Sequence, residues 1–217
     1  TGNFGNVFAA YVAKSCGFPI GQLAIGSNQN DILTRFFETG TMKIGPVFAT
    51  LSPSMDIQIS SNFERYLFEL WNRSGSAVAE IMKQFRQDGR FTADSSRLAR
   101  ARQTFLSSRV DDNETKAIIR DVYETSGRLI DPHSAIGLAA ARAAREKAGD
   151  MPMVAVATAH PAKFADAVED ATGVRPELPE RLADLFDRPE RVTSLPNELA
   201  AIKRFIASAR VDNGVRA

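Results

Sequence analysis

One cysteine, two histidines and one tryptophan are all that this chain of 217 residues holds of those types. With Cys16 as its single thiol it can form no internal disulfide and no cysteine zinc cluster, which fits a reducing cytoplasm. His133 and His160 each adjoin a proline and lie in separate segments, so no metal site arises at ligand spacing and none is assigned. The net charge of +1 supplies no field to gather nucleic acid or an acidic membrane surface. No apolar run is long enough to cross a bilayer, and no secretory leader is recognisable. There is no Gly-x-Ser-x-Gly elbow, which sets aside a serine-hydrolase reading, and there is no repeat or low-complexity tract. The chain also has no initiator methionine. It opens inside a loop of functional type with no strand ahead of it, and the expectation is the C-terminal portion of a longer protein.

What is present is ordinary for a globular protein: 44% apolar and 24% charged residues. The first stretch, Thr1-Gly2-Asn3-Phe4-Gly5-Asn6, runs directly into a helical pattern with Val7, Phe8, Tyr11 and Val12 on one face. A glycine-bracketed loop ahead of a helix exposes backbone N–H groups to which the helix adds the positive end of its dipole, a combination suited to phosphate. Short Gly-Asn turns before helices are common, so the loop alone does not decide. Leu23–Gly26 reads as a buried strand leading to the polar turn Ser27–Asn30. Asp31 caps a helix over Ile32–Phe37 that stops at Gly40. Val47–Leu51 reads as a second strand and Met151–Ala157 as the best strand in the chain.

This alternation predicts an α/β fold: a partial parallel or mixed sheet with flanking helices, whose ligand sits at the C-terminal ends of the strands. Residues 1–61 and 127–217 are expected to form the α/β layer, and 62–126 a mainly helical excursion. Within the excursion, Phe63, Tyr66, Leu67, Leu70 and Trp71 mark one helix, and Val78–Phe85 another. Asp111 with Glu114 marks the capped start of a third. Arg97, Arg100, Arg102 and Arg109 read as a solvated helix face. Ala135–Lys147 and Ala162–Thr172 are further helices, and Leu178–Phe186 and Pro196–Arg210 an amphipathic pair. Three polar loops thereby fall at strand ends: Gly2–Asn6, Ser27–Asp31 and Thr158–His160. Each alone is an unremarkable solvated connection; together on one sheet edge they suggest a shared ligand cleft.

The residues themselves go further. Thr1-Gly2-Asn3-Phe4-Gly5-Asn6, Asn30-Asp31-Ile32-Leu33-Thr34-Arg35-Phe36, Leu51-Ser52-Pro53-Ser54-Met55-Asp56-Ile57, Asp131-Pro132-His133 and Thr158-Ala159-His160-Pro161-Ala162-Lys163-Phe164 resemble the threonine synthase family, in its bacterial and fungal branch, in order and spacing across the chain. The resemblance implies a pyridoxal-phosphate (PLP) lyase of fold type II, like the tryptophan synthase β-subunit. The implied reaction turns O-phospho-L-homoserine and water into L-threonine and phosphate. It implies that Gly2, Asn3, Phe4, Gly5 and Asn6 cradle the cofactor phosphate, and that Thr158 meets the pyridine nitrogen. Ser54, Asp56, Ser60, Asn62 and Arg65 become candidates to face substrate, and Asp131 and His133 support the cofactor end of the cleft.

One departure stands out. The family's Schiff-base lysine lies in a Phe-Lys-Asp block upstream of the phosphate loop, and none of Lys14, Lys43, Lys83, Lys116, Lys147, Lys163 or Lys203 has that context. The chain by itself is therefore expected to be inactive, to hold PLP non-covalently or not at all, and to self-associate across a truncation surface. No nucleic-acid or membrane partner is expected. The alternatives are a serine or threonine dehydratase, which shares the phosphate loop but not Ala-His-Pro-Ala-Lys-Phe, and a non-catalytic phosphate-ligand module.

Overall fold

Apolar positions at helical spacing, broken by glycine and proline, set the order of elements. A computed structural model describes residues 2–212, without the side chains of 146 and 210–212; Thr1 of the opening loop lies outside the described residues. The chain falls into two units, Thr1–Glu177 and Leu178–Ala217. The first begins with α1 (Gly5–Ser15), β1 (Leu23–Ser27), α2 (Ile32–Thr39), β2 (Thr41–Lys43), α3 (Phe63–Leu70), α4 (Gly75–Asp88) and β3 (Arg90–Thr92). It continues with α5 (Ser95–Thr104), β4 (Phe105–Arg109), α6 (Asp112–Ser126), α7 (Pro132–Ala148) and α8 (Ala165–Thr172). The second unit carries α9 (Leu199–Asp212).

β1 and β4 pair in parallel, from Leu23 opposite Phe105 to Ser27 opposite Arg109, and β2 and β3 pair antiparallel. A parallel pair needs a crossover, and here it runs through the helices from α2 to α5. α7 covers the parallel pair so closely that a Cβ on Gly26 would lie 2.6 Å from the Ile136 carbonyl oxygen. On the other side an aromatic cluster fills the core: Phe4, Phe36, Phe37, Phe63, Tyr66 and Phe105, with ring centroids 4.8–6.0 Å apart. A smaller core of Ile119, Ala135, Val168 and Ala171 joins α6, α7 and α8. Most helix ends follow the expected chemistry, but Asp31 does not cap α2: its carboxylate is taken by Arg35 and Arg109 and makes no bond to the helix N–H groups. Gly40 and Gly127 take φ of 76° and 68° after α2 and α6, and Asp111 and Glu114 form a reciprocal capping box at α6.

Several expectations fail. Val47–Leu51 has no strand partner among the described residues, and Val47 and Phe48 are exposed. Met151–Ala157 is likewise not a strand. It lies along α7, where Arg145 Nη1 donates to the Met151 carbonyl at 3.0 Å and Thr158 N–H to Ser134 Oγ at 3.3 Å. The sheet strand in their place is β4, five residues at the end of the basic stretch that the pattern assigned to a helix. Leu178–Phe186 holds only 3₁₀ turns at Glu180–Leu182 and Leu185–Asp187, because so short an amphipathic segment is not helical without a packed face. The arginine run is not simply a solvated face. Arg100 and Arg102 donate to the last carbonyls of α3 and α2, Leu70 and Phe37, which have no partner within their own helices. The Arg97 guanidinium lies 4.9 Å from the Trp71 ring centroid, and Arg109 pairs with Asp31.

Candidate functional site

α1 starts without a side-chain cap. Phe4 occupies the N-cap position at φ 63°, ψ 2°, its ring fully buried in the aromatic cluster, so it offers no acceptor to the first N–H groups of the helix. A left-handed residue ahead of an uncapped helix start turns several N–H groups the same way, the geometry of an anion-binding nest. The loop is fastened from below. A Cβ on Gly2 would come within 2.7 Å of Met55 Cα and 3.1 Å of the Ser54 carbonyl oxygen, so only glycine fits there. Asn3 Oδ1 accepts from Ser61 N–H and Ser61 Oγ, both at 3.1 Å, and its carbonyl accepts from Asn62 N–H at 3.3 Å. Asn62 Nδ2 lies 3.4 Å from where a Gly5 Cβ would stand, and Asn6 is exposed.

At the start of α7, Asp131 is fully buried. Its carboxylate accepts from His133 N–H and Nδ1, both at 2.9 Å, from Ser134 N–H at 3.3 Å, and from Ser134 Oγ. Burial alone would raise its pKa, but these donors, His133 first, hold it below the ordinary carboxylate value. His133 Nε2 accepts the Ser54 N–H at 3.2 Å. With Nδ1 given to Asp131 and Nε2 bare toward Ser54, the ring is the neutral Nδ1–H tautomer. A chain of contacts therefore runs from Thr158 through Ser134, Asp131 and His133 to Ser54, and from the Ser54–Met55 backbone to Gly2.

The structure thus brings together Gly2, Ser54, Asp131, His133 and Thr158, and separately Asn3, Gly5 and Asn62. The Thr158 side chain is exposed. Arg65 stands apart, exposed on α3 in a groove of about 610 Å³ with Phe8, Phe68 and Val78. Ser60 Oγ is buried with no hydrogen-bond partner among the described residues. Asp56 faces inward to donors from Asn28, Asn30 and Thr50. Lys163 sits on a 3₁₀ turn, its Nζ 5.4 Å from the Phe164 ring.

Sequence reasoning treated Ser27–Asp31 as a polar turn and missed how deeply it is buried. Asn28, Asn30, Asp31 and Thr34 are all inside, and Arg35 and Arg109 both close on Asp31 at 2.8 Å. Two asparagines flanking one residue just after a strand were the available signal, since Asn side chains readily replace backbone partners in turns.

Residues 134–206 match the family profile described as "Threonine synthase, C-terminal". A curated threonine synthase of Pseudomonas aeruginosa is 49% identical over 208 residues, covering 95% of this chain and 44% of that protein. A crystal structure of PLP-bound threonine synthase from Brucella melitensis is 50% identical with a TM-score of 0.87, over 96% of this chain and 44% of that one. The yeast threonine synthase structure is 36% identical with a TM-score of 0.85, over 98% and 46%. The chain spans a little under half the length of these relatives.

Proposed function

This chain belongs to the threonine synthase family, and from that premise we propose that it supplies the phosphate-binding side of a PLP enzyme that converts O-phospho-L-homoserine and water to L-threonine and phosphate. The observation that carries the reading is the opening loop. It combines a glycine with no room for a Cβ, a left-handed Phe4 and an uncapped helix start.

Backbone N–H groups of Gly2–Asn6 hold the phosphate, and the buried Phe4 ring anchors the loop without occupying those donors. Asn3, latched to Ser61 and Asn62, keeps the loop from collapsing onto itself. The Thr158 hydroxyl takes the pyridine nitrogen. A hydroxyl there, in place of a carboxylate, would leave that nitrogen largely unprotonated. When bound, PLP supplies the electron sink for charge that develops beside the amino-bearing carbon. Asp131, His133 and Ser134 fix the spacing between the two ends of the cofactor, because one buried carboxylate organises both Ser54 and Thr158. Asn62, Arg65 and Ser54 are assigned to the substrate side. None of the seven lysines has the sequence context the chemistry needs, so the chain alone does not turn over and holds PLP non-covalently or not at all. A cytoplasmic location goes with this reading.

The test uses a protein of the relatives' full length carrying this segment. PLP binding, followed by its visible absorbance, and phosphate release from O-phospho-L-homoserine are both expected. Gly2→Ala is expected to weaken PLP binding at least tenfold. Its Cβ must push Met55 aside or lift the loop from its floor. Absence of PLP binding by the unaltered protein overturns the reading. PLP binding with deamination of serine or threonine, and no phosphate release, favours a dehydratase instead.

A further inference from the structure

We propose that Asp56 is a positioning residue: its carboxylate ties the stretch from Phe48 to Asp56 to the end of β1 and so sets the floor beneath the Gly2 loop, without touching substrate. The proposal rests on reading that loop as the phosphate cradle.

Asp56 Oδ1 accepts from Asn28 Nδ2 at 2.8 Å, Asn30 Nδ2 at 2.9 Å and Thr50 Oγ1 at 2.7 Å, while Oδ2 accepts the Thr50 N–H at 2.9 Å. An ionised carboxylate is acceptor-only, and each of these partners donates. The two asparagines are 1% and 4% exposed, so their polar groups have little recourse to water. Asn30 adds a second tie. Its amide pairs both main-chain groups of Phe48, donating to the carbonyl at 2.8 Å and accepting the N–H at 2.9 Å, as a neighbouring strand would. With Gln58 at Gly45 and Pro46, and Gly89 at Ile44, this explains how residues 44–50 stay in place with no secondary structure and with Val47 and Phe48 exposed.

The consequence is felt two residues upstream. Ser54 gives its N–H to His133, and Met55 is the residue against which Gly2 rests. The Cβ-free gap at Gly2 is already closed, so displacement of Met55 is transmitted to the loop. Asp56 acts on the phosphate site through the chain and through Met55, not by reaching it.

Asp56→Asn keeps the volume but puts an N–H₂ where an acceptor oxygen stood, against donors. In the chain as it is, hydrogen exchange at the Thr50 and Ser54 amides should quicken by about tenfold, the equivalent of one charge-assisted hydrogen bond, while α8 amides hold. In the full-length protein, PLP affinity should fall by about tenfold, with KM for O-phospho-L-homoserine at saturating PLP changing by less than PLP affinity does. Thr50→Val keeps the volume and removes one hydroxyl donor to the carboxylate, so it should move both readouts the same way by a smaller factor. If Asp56→Asn does not fold, Thr50→Val carries the test: faster Ser54 exchange supports the proposal, and Ser54 exchange as slow as in the unaltered chain overturns it. A raised KM with PLP affinity intact overturns it in favour of a substrate contact. Ser54 exchange unmoved by Asp56→Asn also overturns it. Should the unaltered full-length protein bind no PLP, the phosphate reading fails by itself, and the exchange data still decide whether Asp56 holds the loop.

Discussion

β1 and the stretch Met151–Ala157 are both apolar, and α7 lies against both, yet only one is a strand. β1 has β4 hydrogen-bonded along its length, α7 over it and the aromatic cluster nearby; Ile25 is fully buried. Met151–Ala157 is held to α7 by contacts near its two ends, and Val154 between them is 84% exposed. A strand is a relation between two segments. Its backbone N–H and C=O groups need a neighbour, and apolar side chains alone do not supply one. The same contrast separates the two loops after strand-like runs. In Ser27–Asp31, Asn28, Asn30 and Asp31 are buried with their side chains turned inward, whereas 44–50 is held from outside, by Asn30 at Phe48, Asp56 at Thr50 and Gln58 at Gly45 and Pro46.

This comparison can be broken by substitution. Ile25→Ala should destabilise the chain by about 2–5 kcal/mol in denaturant unfolding, since it opens a cavity between β1 and its coverings. A change under about 1 kcal/mol would mean that β1 is not the packed strand described here.

Asp131→Asn should lose about 3 kcal/mol by leaving buried donors unmatched, and should flatten the acid limb of stability. The sign follows from the depressed native pKa of Asp131. The folded state holds the proton less tightly than the unfolded chain does, so this contribution is present above the ordinary carboxylate range. It disappears as pH falls through the native value. Carboxyl carbon NMR during an acid titration checks it directly: an Asp131 midpoint at or above an ordinary aspartate would contradict the network.

Gly26→Ala, which drives a methyl against the Ile136 carbonyl, should cost about 1–3 kcal/mol and displace α7 from the sheet. Smallest of all, Val154→Ser should leave stability within about 0.5 kcal/mol, because so exposed a side chain has little to lose. A large loss there would show that Met151–Ala157 is packed as β1 is, and the contrast would collapse.

Much of the local structure was legible beforehand. The stripe from Phe63 to Leu70, the capping pair Asp111 and Glu114, and the glycine ending α2 each act over a few residues, so spacing was enough. The family blocks marked out Gly2–Asn6, Ser54, Asp131, His133 and Thr158, and the structure joins Gly2, Ser54, Asp131, His133 and Thr158 by contact. Legibility ended where partners lie far apart in sequence. Nothing near Phe105 announces that it will pair with Leu23, and the arginines of α5 read as solvent-facing until the carbonyl ends of α2 and α3 are seen beside them.

The sequence by itself determined most of the helices, the capping box of α6, the glycine-bracketed loop and the family, because each rests on residue identity at short range. Only the tertiary structure decided which apolar runs became strands and which donors a polar residue meets. Asp56 is the clearest case. As a letter in a motif it is a candidate for substrate, but folded, its oxygens are met by Asn28, Asn30 and Thr50. The reason is physical: a carboxylate's role is set by the donors that reach it, and two of those donors come from 26 and 28 residues away.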